Sequence, residues 1–227
     1  MSGIMQMSLA NALGLVWDGL TVYLDAGTYP ESGTAWTDSA KPENNATLVN
    51  APTFSSATGG YFTFASASTQ YATVSGSPIN SAGYTKSCWF YLNSATDNNL
   101  LSYDDGAATG HYMYFGGTNR LYAGHTAWTG FPTTFQSAGS FSNSVWHSVT
   151  VTFNTTDGMK IYINGVLDST YTAQLTAPVG VGLNIGSYSA GGNLLNGRIA
   201  QVLIYNRSLR AEEISRNFAA TRSRFGI

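Results

Sequence analysis

Aromatic and polar side chains alternate in the segment HYMYFGGTNRLYAGHTAWTGF. Tyr112 and Tyr114 share one side of an extended chain, and Arg120 and Tyr122 share one side of the next extended stretch. Trp128 follows in a loop rich in Thr and Gly. Sugar rings stack on aromatic faces, and a few well-placed polar groups hold their hydroxyls. These five residues are therefore the candidate glycan-binding set. The alternatives are that the rings fill a core, that Trp128 covers a sheet edge, or that the rings contact another protein.

Carboxylate and amide side chains gather around a polar loop early in the chain. Asp25 ends an apolar stretch, and Asp38, Asn44 and Asn45 follow in the next loop. Calcium takes about six to eight oxygen ligands from carboxylates, amides and backbone carbonyls. These four residues are therefore a candidate Ca²⁺ site. The alternative, which the residue types favour, is a polar turn held by its own Asp and Asn side chains.

The three histidines stand far apart in the sequence. His111, His125 and His147 do not follow a metal-ligand spacing, so no transition-metal site is predicted. His147 follows Trp146 at the start of an alternating stretch. We expect it at an exposed or edge position rather than in a catalytic site.

The acidic residues do not follow a catalytic pattern. Glycoside hydrolysis needs two carboxyl groups about 5 to 10 Å apart, which acids at i, i+2 or i, i+4 on one strand would provide. None of the 12 acidic residues forms such a Glu-x-Asp-x-Glu pattern, although carboxylates from different strands could still meet. No G-x-S-x-G turn supports nucleophilic catalysis. We therefore expect the protein not to be an enzyme.

Overall charge gives no reason to expect a nucleic acid or a membrane as partner. The chain has 10 Lys and Arg against 12 Asp and Glu, a formal net charge of -2. No global field would attract nucleic acid or anionic lipid, and no apolar run reaches the length of a membrane span. The N-terminus lacks the basic and apolar regions of a signal peptide, so assembly in a reducing cytoplasm is expected. The single cysteine, Cys88, predicts no internal disulfide.

Short extended stretches with turn residues between them recur through most of the chain. The clearest is WHSVTVTFNTTDGMKIYING, in which Val149, Val151 and Phe153 alternate with threonines. Asp157 and Gly158 then supply residues that tolerate the positive φ of a tight hairpin turn. Regular strands without alternating helices are typical of a β-sandwich or barrel. The sequence therefore predicts an all-β domain, and this stretch belongs to its frame.

One helix is predicted near the C-terminus. In RAEEISRNFAATR, Ile214 and Phe218 share a helical face, while glutamates come early and arginines late, as the helix dipole favours. The predicted domain covers residues 15–218, between an N-terminal arm at 1–14 and a C-terminal tail at 219–227. Segments outside a core are ordered only when something holds them, so we expect both ends to dock on partner subunits. The docking candidates are Ile4, Met5, Leu9, Leu13, Arg222, Arg224, Phe225 and Ile227.

The order of these segments resembles a known family. WHSVTVTFNTTDGMKIYINGVL is similar to the central hairpin of laminin G-like domains in the concanavalin A-like lectin/glucanase superfamily. GLTVYLDAG and YTKSCWFYLN upstream, and GRIAQVLIYNRSLRAEEISRNF downstream, follow the family's order from about Leu15 to Phe218. The resemblance implies a jelly-roll sandwich of two antiparallel sheets with one short C-terminal helix. Related domains hold calcium in an Asp-x-x-Gly-x-Gly-Asn-like loop, and DSAKPENN departs from that pattern.

A looser resemblance concerns the two ends of the chain. The opening segment GLVWDGLTVYLDAG and the ending NFAATRSRFGI look like those of virion proteins of tailed bacteriophages. This resemblance implies a structural or adhesive role on a phage particle, as a capsid decoration or a tail-associated subunit. The expected partners are other virion subunits, further copies of the chain and host-surface glycan. The alternative is a soluble, calcium-dependent, carbohydrate-binding lectin module, because this fold carries many functions.

Overall fold

The computed structural model describes residues 14–74, 76–94, 98–103, 110–125, 135–172, 182–189 and 191–227. Four docking candidates of the N-terminal arm lie outside these ranges: Ile4, Met5, Leu9 and Leu13. Docking through the arm therefore stays a prediction.

The described residues form sixteen strands, β1 to β16, and one α-helix, α1. The helix α1 covers Ala211–Thr221 and is followed by a short 3₁₀ helix at Arg222–Phe225. In chain order the strands are β1 Leu20–Asp25, β2 Ala35–Trp36, β3 Ala46–Val49, β4 Thr53–Ser55, β5 Tyr61–Phe64, β6 Tyr71–Val74, β7 Gly83–Leu92, β8 Asn98–Asn99, β9 Leu101–Ser102, β10 His111–Phe115, β11 Leu121–His125, β12 Trp146–Asn154, β13 Gly158–Ile163, β14 Val166–Tyr171, β15 Leu183–Ile185 and β16 Gly197–Tyr205.

Two layers of antiparallel sheet enclose the core. The large sheet has the order β14-β13-β12-β7-β16-β5-β4, and β1 also pairs with β16. The opposite layer consists of β2-β3-β6-β15-β9 and β11-β10-β8. These two small sheets are joined where the amide of Leu100 donates to the carbonyl of Met113, at 2.9 Å. Apolar side chains of both layers form one buried cluster. The predicted all-β jelly-roll sandwich is confirmed.

The hairpin β12–β13 shows how alternation in the sequence fixes the frame. Phe153 pairs with Met159 across the hairpin, and both side chains are fully buried. Gly158 has φ 80°, and a Cβ there would lie 2.0 Å from the carbonyl oxygen of Tyr171. The turn therefore needs glycine for its backbone conformation and for the close approach of β14.

His147 lies on the inner side of the large sheet. It shares the alternation of Val149, and its ring centroid lies 5.7 Å from that of Phe90 and 5.1 Å from that of Phe141. The expectation of an exposed or edge position is wrong, because the alternation places Trp146 on the outer face and His147 towards the core. Burial lowers the pKa of His147 below its ordinary value.

The start of α1 is fixed by Glu213. Its Oε2 accepts a hydrogen bond from the amide of Arg210 at 2.8 Å. Its two carboxylate oxygens also accept hydrogen bonds from the two terminal nitrogens of Arg207. The Arg207 guanidinium group lowers the pKa of Glu213 to about 2. This capping agrees with the early glutamates seen in the sequence.

No helix in the described part of the chain is long and apolar enough to cross a lipid bilayer.

The segment after α1 packs on the outer face of the large sheet. The ring of Phe225 stacks on Trp89, with centroids 4.0 Å apart. Arg224 forms an ion pair with Asp25 at 2.7 Å and donates to the carbonyl of Thr58 at 2.8 Å. Residues after position 218 therefore pack on the large sheet, because Trp89 leaves apolar surface on the outer face that Phe225 covers.

Two docking candidates thus have partners within their own domain, namely Arg224 and Phe225. Arg222 is exposed, and Ile227 is 39% exposed. Docking of the tail on another subunit stays a prediction, and these two side chains are the ones that present free surface for it.

We predict that Phe225→Ala lowers the free energy of unfolding by about 3 kcal/mol, because it removes an aromatic ring from a buried stack. Urea unfolding followed by tryptophan fluorescence measures the change. Ile227→Ala is the control, two residues away, and should change stability by less than about 0.5 kcal/mol. Equal effects of the two substitutions would show that the stack on Trp89 does not form in solution.

Candidate glycan-binding face

The tyrosines of β10 and β11 lie on the outer face of the sheet β11-β10-β8. Met113 and Phe115 point into the core and are fully buried, so Tyr112 and Tyr114 between them point outwards. Tyr122 pairs directly with Tyr114 across the two strands. The structure therefore brings three of the predicted glycan-binding residues together.

The tyrosines form a continuous aromatic group. The rings of Tyr114 and Tyr122 are stacked, with centroids 5.2 Å apart and planes 19° from parallel. The ring of Tyr112 meets that of Tyr114 edge to face, with centroids 5.5 Å apart. Tyr112 also lies over Gly124, because a Cβ atom on Gly124 would be 2.1 Å from the hydroxyl oxygen of Tyr112. Tyr112 is buried, and this burial raises its pKa above the usual range. Tyr114 and Tyr122 are half-buried, so these two rings present the accessible aromatic surface.

Amide side chains lie on both sides of the tyrosine pair. Asn99 pairs with Tyr114 in β8, and Gln136 forms a bridge with Tyr122 beyond β11. The four residues therefore lie in one row across the sheet, in the order Asn99, Tyr114, Tyr122 and Gln136. Asn99 is buried; its amide nitrogen donates to the carbonyl of Asn193 at 2.8 Å, and its Oδ1 accepts from the hydroxyl of Ser102 at 2.8 Å. The Oε1 atom of Gln136 is buried and has no hydrogen-bond partner among the described residues.

Arg120 stands beside this row. Its Nη1 donates to the carbonyl of Ser137 at 2.8 Å and to that of Ala138 at 2.6 Å. These bonds hold the guanidinium group against the segment that carries Gln136.

The fifth predicted residue, Trp128, lies outside the described residues. Sequence reasoning missed Asn99 and Gln136, because neither belongs to the aromatic segment and only strand pairing brings them to it.

A separate open groove of about 480 Å³ lies between the loop after β1 and the loop before β4. Tyr29 and Phe54 line this groove, and their ring centroids lie 4.9 and 5.6 Å from that of the core residue Phe62. The rings of Tyr29 and Phe54 therefore pack against the core. No residue of this groove was predicted to bind a ligand.

The four candidate calcium ligands have other partners. The carboxylate of Asp25 binds the Arg224 guanidinium group and the amide of Gly27. The side-chain amide of Asn44 donates to a backbone carbonyl at 2.8 Å. The Oδ1 atom of Asn45 accepts from the amide of Asp38 at 2.7 Å. The arrangement is that of the polar turn held by Asx hydrogen bonds.

Asp38 is the most unusual of the four. Its Oδ1 accepts from the amides of Tyr23, Ala40 and Lys41, at 2.9, 2.7 and 3.1 Å. Its Oδ2 is buried and has no hydrogen-bond partner among the residues that the structure describes. Burial raises the pKa of Asp38 to about 6, although the three amides oppose this shift. One free carboxylate oxygen does not fit the ligand number of calcium.

A further polar cluster is buried between the two layers. Lys86, which is fully buried, has its Nζ atom 3.1 Å from Nδ1 of His111. His111 Nε2 contacts the carbonyl of Gly182 at 2.9 Å, and His125 Nε2 contacts the hydroxyl of Tyr84 at 2.8 Å. Burial lowers the pKa of Lys86 and of His111 well below their usual values.

This cluster shows that two of the three histidines are neighbours, since His111 and His125 pair directly across β10–β11. The distance in sequence hid this proximity. The Nζ atom of Lys86 and the carbonyl of Gly182 nevertheless engage both ring nitrogens of His111, which leaves neither nitrogen for a metal cation. Within the described ranges, no group of three or more His, Cys, Asp or Glu side chains could hold a metal ion.

The two-layer antiparallel sandwich, closed by one C-terminal helix, defines a jelly-roll domain. The family model that matches residues 66–215 is a laminin G-like model described as the concanavalin A-like lectin/glucanases superfamily. The chain belongs to this family. No curated protein matches the chain.

Solved structures share the fold at low sequence identity. The sialidase of Trypanosoma rangeli in complex with the inhibitor DANA is 15% identical with a TM-score of 0.72, and the match covers 96% of this chain and 37% of the sialidase chain. Domain 4 of AbnA, a GH43 extracellular arabinanase from Geobacillus stearothermophilus in complex with arabinotriose, is 14% identical with a TM-score of 0.68; the match covers 88% of this chain and 98% of that one. The binding domain of Paraclostridial Mosquitocidal Protein 1 is 16% identical with a TM-score of 0.64, and the match covers 88% of this chain and 52% of that one. The chain thus spans little more than a third of the sialidase.

We predict that Asp38→Asn changes the pH dependence of folding. The pKa of Asp38 in the folded protein is about 6, above the ordinary value of 3.8, so the folded state holds this proton more tightly than the unfolded chain. Its contribution to stability therefore rises as the pH falls through 6 and is absent at higher pH. The variant lacks this rise.

Urea unfolding of both proteins at several pH values measures the effect. The stability of the wild type relative to Asp38→Asn should increase by about 2 kcal/mol between about pH 7 and about pH 4. Glu31→Gln, the same type of change at an exposed position, is the control. A difference between wild type and Asp38→Asn that is constant with pH would contradict the raised pKa.

Proposed function

We propose that the chain is a non-enzymatic carbohydrate-binding domain that binds glycan on the outer face of β8, β10 and β11. The observation that carries this proposal is the row of Asn99, Tyr114, Tyr122 and Gln136, in which two stacked aromatic rings lie between two amides. Aromatic surface with a few fixed polar groups is what recognition of a sugar requires. The strands hold these groups in place before binding, so little side-chain entropy is lost on association.

Each part of the face has a separate role in this proposal. The half-buried rings of Tyr114 and Tyr122 offer apolar surface to the C–H side of a sugar ring. The Oε1 atom of Gln136 is buried and has no partner among the described residues, and in this proposal the half-buried side chain turns outwards so that Oε1 accepts a hydrogen bond from a sugar hydroxyl. Such a bond would relieve the cost of a buried acceptor without a donor, which is about 1 to 3 kcal/mol.

The non-enzymatic part of the proposal is supported by the described carboxylates near this face. Asp168 contacts the segment that Arg120 binds, and its two oxygens accept from the amides of Ala138 and Gly139. A carboxylate engaged in this way supports the fold of the segment. A hydrolase needs a second carboxyl group at a defined separation, and none of the described carboxylates lies in the row. Domain 4 of AbnA, in complex with arabinotriose, and the binding domain of Paraclostridial Mosquitocidal Protein 1 share this fold, which supports a binding role.

We also propose that the domain acts as a structural or adhesive subunit of a tailed-phage particle, attached to other virion subunits and to copies of itself. This setting rests on the resemblance of the chain ends, and the exposed Arg222 and Ile227 are the surface it would use. Size-exclusion chromatography with light scattering should find an oligomer, and mass spectrometry of purified particles should detect the chain. A monomer that is absent from particles would contradict this setting but would leave glycan binding untouched.

We predict that Tyr114→Ala and Tyr122→Ala each weaken binding of a neutral oligosaccharide by at least about tenfold, since each removes half of the stacked aromatic surface. A glycan array selects the oligosaccharide, and isothermal titration calorimetry measures the dissociation constants. Tyr71→Ala is the matched control, because Tyr71 is half-buried in β6 of the same layer. It should leave binding unchanged.

Two results would overturn this assignment. One is a wild-type chain that binds no glycan on the array. The other is equal loss of affinity in Tyr71→Ala and Tyr122→Ala, which would place the site elsewhere or reflect general destabilisation. Addition of EDTA tests the alternative of a calcium-dependent lectin, and retained binding in EDTA would exclude it.

A further inference from the structure

The outer face of the large sheet holds a second aromatic group, with an arginine at its centre. The guanidinium carbon of Arg198 lies 4.4 Å from the ring centroid of Tyr91 and 4.9 Å from that of Tyr61. The ring of Trp146 lies 5.7 Å from Tyr91 and 5.6 Å from Tyr61. All four side chains are half-buried, so the group, which we call the Arg198 site, is open to solvent.

Strand pairing places these residues together. Arg198 in β16 pairs with Tyr91 in β7, and Trp146 in β12 pairs with Tyr91 on its other side. The alternation of each strand turns these side chains away from the core, since the neighbouring Ile199 is fully buried. Phe225 packs on Trp146, with centroids 5.0 Å apart. The tail of the domain therefore fixes one edge of the site.

The electrostatics of Arg198 differ from those of the arginines that support the fold. Arg207 and Arg224 each form ion pairs with carboxylates. Arg198 has no ion pair with any described residue, and its Nε atom is buried without a hydrogen-bond partner in that part of the chain. A buried donor without an acceptor is costly, and more so in a charged group. The two tyrosine rings hold the cation through cation–π contacts but supply no acceptor to its N–H groups.

We propose that the Arg198 site binds the oxyanion group of an acidic saccharide, a carboxylate or a sulfate. The guanidinium fork matches such a group with two parallel hydrogen bonds, and the half-buried Trp146 and Tyr61 rings provide surface for the attached sugar ring. A point charge in solvent would not discriminate between ligands, but a guanidinium group clamped between two rings has a fixed direction. The site lies on the opposite layer from Tyr114 and Tyr122, so it does not depend on the glycan binding proposed there.

The experiment compares three oligosaccharides of equal length: hyaluronan, which carries carboxylates, chondroitin sulfate, which also carries sulfates, and a neutral maltooligosaccharide. Isothermal titration calorimetry at constant ionic strength measures their binding to the full chain. We expect Arg198→Gln to weaken binding of at least one acidic oligosaccharide about 10- to 100-fold. Arg198→Lys keeps the charge without the fork, and it should lose an intermediate amount of affinity.

Arg222→Gln is the matched control. Arg222 also lies over an aromatic ring, that of Phe218, and is exposed, so the change removes the same charge from the same face. Binding that falls equally in Arg198→Gln and Arg222→Gln would show nonspecific attraction and overturn the proposal. Unchanged binding in Arg198→Gln, or tight binding of polyglutamate at the same residue, would also overturn it. Tyr122→Ala should not affect the acidic ligand, which separates this site from the face on β10 and β11.

Discussion

The antiparallel pairing of β16 with β7 and β1 ties distant parts of the chain into one sheet. Leu20 pairs with Tyr205, and Val202 pairs with Cys88, so β16 lies between strands from the beginning and the middle of the sequence. Loop closure over such separations is costly in entropy, and only burial of a large continuous core offsets that cost. Both layers contribute to that core. The outward-facing groups of both candidate sites depend on this frame, because strand register decides which side chains reach the surface.

The same register creates two different outer faces. On the small sheet, tyrosines from β10 and β11 stand between amides; on the large sheet, Arg198 stands between Tyr61 and Tyr91. One face offers apolar rings with neutral polar groups, and the other offers rings with a fixed cation. Because they lie on opposite layers, the two faces point in opposite directions. Phe225 borders the second face and also stacks on Trp89 of the large sheet, so the tail has a structural role even where it borders a surface.

Local patterns in the sequence predicted the frame well. The threonine alternation and the Asp157-Gly158 turn predicted β12–β13, and the placement of Glu213 predicted the start of α1. These features depend on neighbours in sequence, where periodicity and turn chemistry decide the outcome. The shared face of Tyr112 and Tyr114 followed for the same reason.

Contacts between distant segments were not predictable in this way. The ion pair of Asp25 with Arg224 joins the two ends of the domain, so the sequence suggested a calcium ligand and a docking residue instead. Gln136 reaches Tyr122 only through a bridge beyond a loop. A lysine without a carboxylate partner, such as Lys86, gives no sequence signal for burial, because lysine is rarely buried. Tertiary packing, which the local pattern of one sequence does not contain, decides all three.

The most direct test of the proposed glycan site is an NMR titration of the ¹⁵N-labelled chain with the neutral oligosaccharide that binds best on the array. Shifts of backbone amides would concentrate in β10 and β11 and at Gln136, with saturation transfer from the rings of Tyr114 and Tyr122 to the sugar. Shifts that concentrate at Tyr29 and Phe54, or that spread evenly over the chain, would contradict the assignment of this face.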